Sequence, residues 1–262
     1  MSPKLLCREI AAQFIPKICL VATDMDGTLT QQGRFTSSLL AGLEELARLQ
    51  IRVVIVTGRS AGWVSGLAHY LPVWGAIAEN GGLLYLKNRE HPISLTPIPD
   101  PIAHRQNLAR VFESLQRDFP HLRESADNPF RMTDWTFDVA GLSVQDLQRM
   151  EAACQEQGWD FVYSTVQCHI KPFAQEKATA VLQVLQDYFP QFDRDRVLTV
   201  GDSPNDRTLF DPGYFPHSVG VANIADYLDR LPHSPAYITQ NIEGEGFGEL
   251  VRYLTDLELR PI

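Results

Sequence analysis

The chain has 262 residues, of which 44% are hydrophobic and 21% are charged, and its net charge is −9. These proportions are ordinary for a soluble globular protein, and the length allows one large domain or two smaller ones. The acidic balance and the lack of a Lys/Arg tract argue against duplex nucleic acid as the main partner. No window is apolar enough for a membrane span, and the first fifteen residues lack the apolar region of a signal peptide. We therefore expect a cytoplasmic protein.

The predicted elements up to residue 82 alternate between strands and helices. Residues 1–15 are expected to form a short extra helix or a loose tail. Strands are predicted at Ile18–Ala22, Ile51–Val56 and Ala76–Ala78, and helices at Thr36–Leu49 and Ser60–Tyr70, the latter opening on a capping serine. This alternation predicts a parallel sheet with helices on both faces.

The pattern changes after residue 86. Four prolines within residues 91–101 predict a stiff, extended linker. Two helices and four short strands are expected beyond it, with the recognisable elements at His104–Phe119, Arg131–Val139, Val144–Gln157, Phe161–Ser164 and Gln167–Ile170. Such a set predicts a small α+β domain, residues 87–171, inserted into a larger one.

The first pattern resumes at residue 172. Helices are predicted at Lys177–Tyr188 and Phe247–Leu257, and strands at Arg196–Val200 and Ser218–Val221. The fold class is therefore predicted as α/β, with a doubly wound parallel-sheet core formed by residues 1–86 and 172–262. The four cysteines are scattered without a Cys-x-x-Cys pair and are expected to be reduced thiols.

Two carboxylates follow the first predicted strand, in the string Asp24-Met25-Asp26-Gly27-Thr28. Ligands of open α/β sheets bind at the carboxyl ends of the strands, and Gly27 permits a tight turn there. Carboxylates this close repel each other unless a cation or a shared proton intervenes, and hard oxygen ligands suit Mg²⁺. The alternative is a strand end with two solvated acids, which three further stretches make less plausible.

The second stretch is Thr57-Gly58-Arg59, where a strand ends in a hydroxyl followed by glycine. Thr57 suits a donor to a phosphate oxygen, although it could equally cap the next helix. Arg59 could bind substrate or form a surface ion pair. The third stretch places Lys177 in the first turn of a helix, where it opposes the helix dipole. That position indicates another use, such as neutralising phosphate, with a solvated surface lysine as the alternative.

The fourth stretch is Gly201-Asp202-Ser203-Pro204-Asn205-Asp206, again at the end of a predicted strand. Acids at two different strand ends can converge at one edge of a parallel sheet and form an octahedral, water-rich Mg²⁺ site. A bare turn is the alternative, because each of these residues favours turns.

The four stretches, in this order, resemble the motifs of the haloacid dehalogenase-like phosphohydrolases. The insertion after Glu79-Asn80-Gly81-Gly82 resembles the branch with a C2-type α+β cap, subfamily IIB. Within that branch, residues 201–206 followed by 219–223 are similar to the group of sucrose-phosphate and mannosyl-3-phosphoglycerate phosphatases.

The resemblance implies phosphoryl transfer in two steps. Asp24 would attack phosphorus and form an aspartyl-phosphate, and Asp26 would protonate the leaving alcohol and then deprotonate the attacking water. Thr57 and Lys177 would bind the transferring group. Mg²⁺ would be held by Asp24, the backbone carbonyl of Asp26, and Asp202. In addition, Asp206 would support the metal or the lysine, and Asn205 would contact the substrate or the metal shell.

Other residues are candidates for reading the rest of the substrate. At the sheet edge these are Gly58, Arg59, Glu79 and Asn80, and in the inserted cap they are Arg131, Asp134, His169 and Lys171. A cap favours a small substrate, because closure would exclude a protein loop. The cations among the cap candidates make a second anionic group on the substrate conceivable. The four tryptophans are assigned to packing within the core or the cap.

The predicted function is a Mg²⁺-dependent phosphatase for a small phosphorylated metabolite, either a sugar phosphate or a glycosyl-phosphoglycerate. We expect a monomer or small homo-oligomer without nucleic-acid or membrane partners. A phosphomutase would use the same chemistry. The alternative from another class is a non-catalytic sensor with an acidic Mg²⁺ pocket, but a sensor needs no general acid such as Asp26.

Overall fold

The computed structural model describes residues 3–256, which form one nine-stranded and one three-stranded sheet. The strands of the large sheet are β1 (Lys4–Leu5), β2 (Leu20–Thr23), β3 (Arg52–Val56), β4 (Gly75–Ala78), β5 (Leu83–Tyr85), β6 (Ile93–Ser94), β10 (Val197–Gly201), β11 (His217–Gly220) and β12 (Tyr237–Ile238). The small sheet contains β7 (Trp135–Asp138), β8 (Asp160–Tyr163) and β9 (Gln167–Lys171). The α-helices are α1 (Arg8–Phe14), α2 (Ser37–Arg48), α3 (Ala61–Tyr70), α4 (Pro101–Asp118), α5 (Val144–Glu156), α6 (Lys177–Tyr188) and α7 (Glu243–Thr255).

The large sheet has the order β1-β12-β11-β10-β2-β3-β4-β5-β6. Neighbouring strands of this sheet are parallel, except that β5 pairs antiparallel with both β4 and β6. Its central strands are buried on both faces, which is why they read as continuous apolar runs. Successive side chains point to opposite faces, so that Val21 packs with α1, α2, α3 and α7, whereas Leu20 and Ala22 pack with α6. The predicted doubly wound α/β core is confirmed.

The small sheet has the order β7-β9-β8 with antiparallel pairing. Helices α4 and α5 contribute buried residues to the hydrophobic cluster that also contains Phe137, Phe161 and Ile170 of the sheet. These elements lie within the range predicted for the inserted cap, whose boundaries remain a prediction. The prediction of four strands is wrong, because this sheet has three. Among the described residues, only an isolated bridge between Glu124 and Phe137 extends it.

Several short elements differ from the prediction. The stretch 91–101 is not only a linker, because β6 lies within it and α4 begins at its last residue, Pro101. Residues 8–14 form helix α1, whose Ala11 and Phe14 are buried, so the loose-tail alternative is wrong. Strands β1, β5 and β12 were not predicted because each has only two or three residues and no readable period.

The remaining predicted helices form close to their expected positions. Thr36 caps α2 by accepting a hydrogen bond from the Leu39 N–H at 3.2 Å. Helix α7 begins earlier than predicted, at Glu243, and the predicted last residue, Leu257, lies outside the described residues. All four cysteines are free thiols, as expected. Within residues 3–256, no helix combines the length and the apolarity that a membrane crossing requires.

Candidate active site

The four sequence stretches meet at one edge of the large sheet. Strands β2, β3 and β10 are adjacent and parallel, and they end immediately before Asp24, Thr57 and Asp202. The carboxyl ends of parallel strands lie at the same edge, which is where ligands of such sheets bind. Lys177, the first residue of α6, reaches the same place and is fully buried.

Three buried carboxylates and one ammonium form the centre of this edge. Oxygen atoms of Asp24, Asp202 and Asp206 all lie within 4.8 Å of one another. The Lys177 Nζ lies 2.5 Å from Asp24 Oδ1 and 2.7 Å from Asp206 Oδ1. Three carboxylates thus share a single neighbouring ammonium.

The electrostatics follow from this imbalance. Burial raises the pKa of Asp24 to about 7, with repulsion from Asp206 adding to it and attraction from Lys177 opposing it. Burial and the two neighbouring carboxylates also raise the pKa of Asp202 well above its usual value. The same carboxylates raise the pKa of Lys177 against the effect of burial, which keeps it charged.

Backbone geometry brings the two strand-end acids together. Gly27 has φ +79°, and a Cβ built there would lie 2.4 Å from Asp202 Oδ2. A larger residue would therefore be strained and would collide with the carboxylate. Asp202 accepts hydrogen bonds from Thr28 Oγ1 at 3.2 Å and from Asn223 Nδ2 at 2.9 Å. Sequence reasoning assigned no role to these two donors, although both lie in stretches that carried the family resemblance.

Asp206 is fixed by the turn that follows β10. Its Oδ2 accepts hydrogen bonds from the backbone N–H groups of Asp202 and Ser203, at 2.9 and 3.2 Å. Gly201 is required there, because a Cβ would lie 2.5 Å from the Asp206 carboxylate. One oxygen of Asp206 is thus used to shape the turn, and the other holds Lys177.

The donor set fits a divalent cation such as Mg²⁺. Three buried carboxylates with one ammonium leave an excess of negative charge, and hard oxygen ligands suit this ion. The side chain of Asp26 is directed elsewhere, but its backbone carbonyl accepts no hydrogen bond from the described residues. We retain Asp24, Asp202 and the Asp26 carbonyl as proposed ligands, with Asp206 also within reach.

Asp26 is held by Arg59. The guanidinium Nε and Nη2 donate to the two carboxylate oxygens of Asp26, each at 2.7 Å. The other side of the guanidinium stacks on the Trp63 ring, 4.8 Å from its centroid. Trp63 is 53% exposed, so its assignment to core or cap packing is wrong. Arg59 therefore orients the predicted acid–base residue rather than forming an isolated surface pair.

The cap closes over this edge. The remaining cavity has a volume of about 10 Å³, which is room for about one water molecule. Its lining comes from the core (Asp24, Asp26, Thr57, Gly58, Arg59 and Asn205) and from the cap (Ser164, Val166, Gln167 and His169). All but two of these residues, Val166 and Gly58, carry polar side chains. A phosphate ester is larger than this space, so its binding would require the cap or its 164–169 segment to move.

Glu79 ties the cap to the core. Its carboxylate accepts hydrogen bonds from the N–H groups of Ala61, Met132 and Thr133, and from the Thr133 hydroxyl. It thereby caps α3, whereas the side chain of Ser60, the expected cap, has no hydrogen-bond partner among the described residues. Burial raises the pKa of Glu79. The structure gives this candidate substrate residue a structural contact between the domains instead.

Arg131 also joins the two domains. Its guanidinium donates to the Gly58 carbonyl of the core at 3.0 Å and to the carboxylates of Asp127 and Asp134. It donates as well to Gln167 Oε1 at 2.9 Å. Two acids therefore already neutralise this cation, which leaves it without the free charge that a second anionic substrate group would need.

Lys171 lies apart from the cavity. Its Nζ donates to Asp160 at 2.6 Å, to the Gln175 carbonyl at 2.6 Å and to Glu176 at 3.1 Å. Arg207, which sequence reasoning did not consider, joins the same cluster through Asp160 and Glu176. The structure thus places Lys171 in an ion cluster between cap and core, and not with the predicted substrate-binding residues.

The acid cluster makes stability depend on pH in a way that Mg²⁺ should reverse. Because the pKa of Asp24 is higher in the folded protein than the ordinary 3.8, the folded state binds the proton more tightly. The metal-free protein should therefore lose stability as pH rises from about 4 to about 7. A cation relieves repulsion only between ionised acids. We expect Mg²⁺ to raise the melting temperature more at about pH 8 than at about pH 5, measured by thermal unfolding; an equal rise would contradict this site.

The family comparison agrees with the motifs. Residues 21–117 match the model of the haloacid dehalogenase-like hydrolases. A phosphoglycolate phosphatase of Methanothrix thermoacetophila is 24% identical over 234 residues, covering 89% of this chain and 96% of the relative. One from Picrophilus torridus is 26% identical over 249 residues, covering 92% and 93% of the two chains.

Solved structures share this fold over about nine tenths of the chain. A Thermoplasma acidophilum protein superimposes with a TM-score of 0.73 at 20% identity, covering 92% of this chain and 99% of that one. The sucrose-phosphatase of Synechocystis, in complex with sucrose and phosphate, gives a TM-score of 0.64 at 16% identity, with 90% and 97% covered. A subclass IIB sugar phosphatase gives 0.66 at 14% identity, with 89% and 98% covered.

Proposed function

We propose that this chain is a haloacid dehalogenase-like hydrolase that hydrolyses a small, hydrophilic phosphate monoester with Mg²⁺. The match of residues 21–117 to that family's model and the phosphatase names of its relatives support the proposal. The observation that carries the proposal is the pairing of Asp24 with Lys177 beside two further buried acids, with Asp26 two residues on. An anionic nucleophile, a buried cation and a candidate metal site are what phosphoryl transfer needs, since it depends mainly on positioning and charge stabilisation.

Asp24 is the proposed nucleophile. Its Oδ1 is bound by Lys177 at 2.5 Å, which orients the carboxylate and keeps an ammonium beside the position of the incoming phosphate. Thr57 lies in the cavity wall and would donate its hydroxyl to a phosphoryl oxygen. Bound Mg²⁺ would supply neutralisation of the charge on the transferring group. Attack by Asp24 then forms an aspartyl-phosphate and releases the alcohol.

Asp26 is the proposed acid–base residue. It would give a proton to the leaving alcohol and then take one from the water that attacks the aspartyl-phosphate. The guanidinium of Arg59 donates a hydrogen bond to each carboxylate oxygen of Asp26 and so sets the orientation of that carboxylate. When Asp26 carries the proton, one of its two hydrogen bonds from Arg59 must lengthen. The Trp63 ring would keep the guanidinium in place during this step.

The polar cavity wall and the names of the relatives both favour a hydrophilic substrate. Among the described residues, the wall contains no aromatic ring besides the His169 imidazole, so polar contacts rather than ring stacking would hold the natural substrate. The names of the relatives make 2-phosphoglycolate a candidate. Sugar phosphates and glycosyl-phosphoglycerates, the classes predicted from the sequence, are also hydrophilic. The test is a phosphate-release screen over these compounds, with Mg²⁺ and with EDTA.

The same screen separates the alternatives. Mg²⁺-dependent release of phosphate from at least one compound supports a phosphatase. Transfer of the phosphoryl group to a second sugar without release would support a phosphomutase. A folded protein that binds phosphate and Mg²⁺ but releases nothing from the panel would support the sensor and overturn the proposal.

Asp26→Asn should separate the two chemical steps. A p-nitrophenolate leaving group needs no proton, so Asp24 can still be phosphorylated, but the water of the second step lacks its base. We expect a burst of nitrophenol followed by steady turnover slower by about 10²- to 10⁴-fold, measured by stopped-flow absorbance. The exposed Glu90→Gln is the matched control and should behave as wild type. Equal loss in both phases would contradict the assigned role.

A further inference from the structure

Asn223 links three separate parts of the site through its side-chain amide. Its Nδ2 donates to Asp202 Oδ2 at 2.9 Å and to the Gly27 carbonyl at 3.1 Å. Its Oδ1 accepts a hydrogen bond at 2.9 Å from the backbone N–H of Glu243, the first residue of α7. The amide oxygen and both amide N–H groups are therefore used, so that this side chain has no hydrogen-bonding capacity left over for the substrate.

The partners of Asn223 determine how its amide is turned. A backbone N–H only donates, whereas a backbone carbonyl only accepts. Turning the amide around would set its oxygen against the Gly27 carbonyl and its N–H groups against the Glu243 N–H. The first N–H groups of a helix have no partner within the helix, so Asn223 supplies the acceptor that Glu243 needs. The N–H groups of Asn223 are thereby directed towards Asp202.

The two acceptors of Asn223 belong to different segments of the proposed metal site. Asp202 follows β10 and is a proposed ligand of Mg²⁺. Gly27 directly follows Asp26, whose backbone carbonyl is another proposed ligand. The Gly27 N–H, which shares a peptide group with that carbonyl, donates to Thr30 Oγ1 at 3.0 Å. One side chain thus fixes the distance between a ligand that follows β10 and the loop that follows β2.

Helix α7 holds the same loop directly. The Gly244 N–H donates to the Thr30 carbonyl at 3.0 Å. A Cβ built on Gly244 would lie 2.9 Å from the Leu29 carbonyl oxygen, so glycine is required for this close approach. The beginning of α7 therefore contacts both Asn223 and the loop after β2, and it provides a common support for the two.

We propose that Asn223 is a positioning residue for Mg²⁺, which holds Asp202 and the Asp26 carbonyl at the separation that the cation requires. This inference rests on the proposed function, because it needs the metal site described there. Groups that hydrogen-bond to metal ligands orient them and contribute to metal affinity. Asn223 is not among the residues that line the cavity beside Asp24. Its replacement should therefore weaken the binding of Mg²⁺ more than the transfer of the phosphoryl group.

Two replacements test this role by direct metal binding. Asn223→Ala removes the three hydrogen bonds, and Asn223→Leu removes them while nearly keeping the volume of the side chain. Mg²⁺ is titrated into the metal-free protein at about pH 8, without substrate, and its dissociation constant is measured by calorimetry. In each folded variant this constant should be about 10- to 100-fold higher than in the wild type. The exposed Asn88→Ala is the matched control and should keep the wild-type constant.

Kinetics separate positioning of the metal from catalysis and from folding. On an ester that the wild type hydrolyses, each variant should need about 10- to 100-fold more Mg²⁺ for half of its maximal rate. Its kcat at saturating Mg²⁺ should approach that of the wild type. A lower melting temperature or a lower saturated kcat, with an unchanged Mg²⁺ dissociation constant, would overturn the proposal. A wild-type protein that binds no Mg²⁺ would instead overturn the proposed function.

Discussion

Replacing Asp24 by asparagine should abolish turnover of every phosphate ester while leaving the fold intact. The amide cannot attack phosphorus, and removal of a catalytic nucleophile lowers kcat by on the order of 10⁴-fold or more. The pKa of Asp24 is raised to about 7, so its charge destabilises the metal-free protein. At about pH 8 without metal, the variant should therefore be at least as stable as the wild type.

This combination distinguishes a nucleophile from a residue needed for folding. Phosphate release and urea unfolding are measured on the same sample, with and without Mg²⁺. Asp118→Asn, on the exposed end of α4, is the matched control and should keep both activity and stability. Retained turnover in Asp24→Asn would refute the mechanism, and loss of activity through unfolding would show a structural role instead.

Replacing Lys177 by methionine should impair both chemistry and stability. The variant keeps the length of the side chain but removes the cation that binds Asp24 and Asp206. Leaving buried carboxylates without their partner costs about 3–5 kcal/mol of unfolding free energy. The activity should fall by roughly 10²- to 10³-fold, because the protein loses the positioned ammonium that would stabilise the negative charge of the transferring phosphoryl group.

Mg²⁺ should reverse part of the stability loss but not the loss of activity. A divalent cation can neutralise the same carboxylates, so the rise in stability on adding Mg²⁺ should be larger in Lys177→Met than in the wild type. Unfolding in urea at about pH 8, with EDTA and with Mg²⁺, measures this difference. The exposed Lys87→Met is the control. A smaller Mg²⁺ effect in the variant would place the cation away from Lys177.

The core of the site could be read from the sequence because its residues follow strand ends. Asp24, Thr57 and Asp202 each come directly after a strand of the large sheet, and parallel neighbours bring these ends together. The position of Lys177 at the start of α6 was readable as well, since a cation there opposes the helix dipole. Local sequence and sheet geometry were sufficient for these four positions.

The cap and its junction could not be read in the same way. Glu79 binds backbone N–H groups of residues 61, 132 and 133, and no local pattern indicates such a distant partner. Lys171 looked like a free cation near a strand end, but Asp160 and Glu176 neutralise it. Likewise, nothing around Trp63 in the sequence indicates that it stacks on Arg59 at the surface. These contacts depend on how two domains dock.

The proposed site would also explain how an acidic protein could bind an anionic substrate. Near the proposed phosphate position, the positive charge comes from Lys177, from Arg59 and from the proposed cation, rather than from the surface as a whole. The acids that would hold the metal are buried and repel one another without it. The repulsion among these acids thus lowers the stability of the metal-free protein, and it provides a site that would bind a cation and a phosphate together.

The most direct test of the account is the stereochemical course at phosphorus. A substrate with an isotopically chiral phosphoryl group is hydrolysed in labelled water, and the configuration of the released phosphate is determined. Transfer to Asp24 and then to water involves two in-line displacements, so the account predicts overall retention. Overall inversion would mean that water attacks the substrate directly and would contradict an aspartyl-phosphate on Asp24.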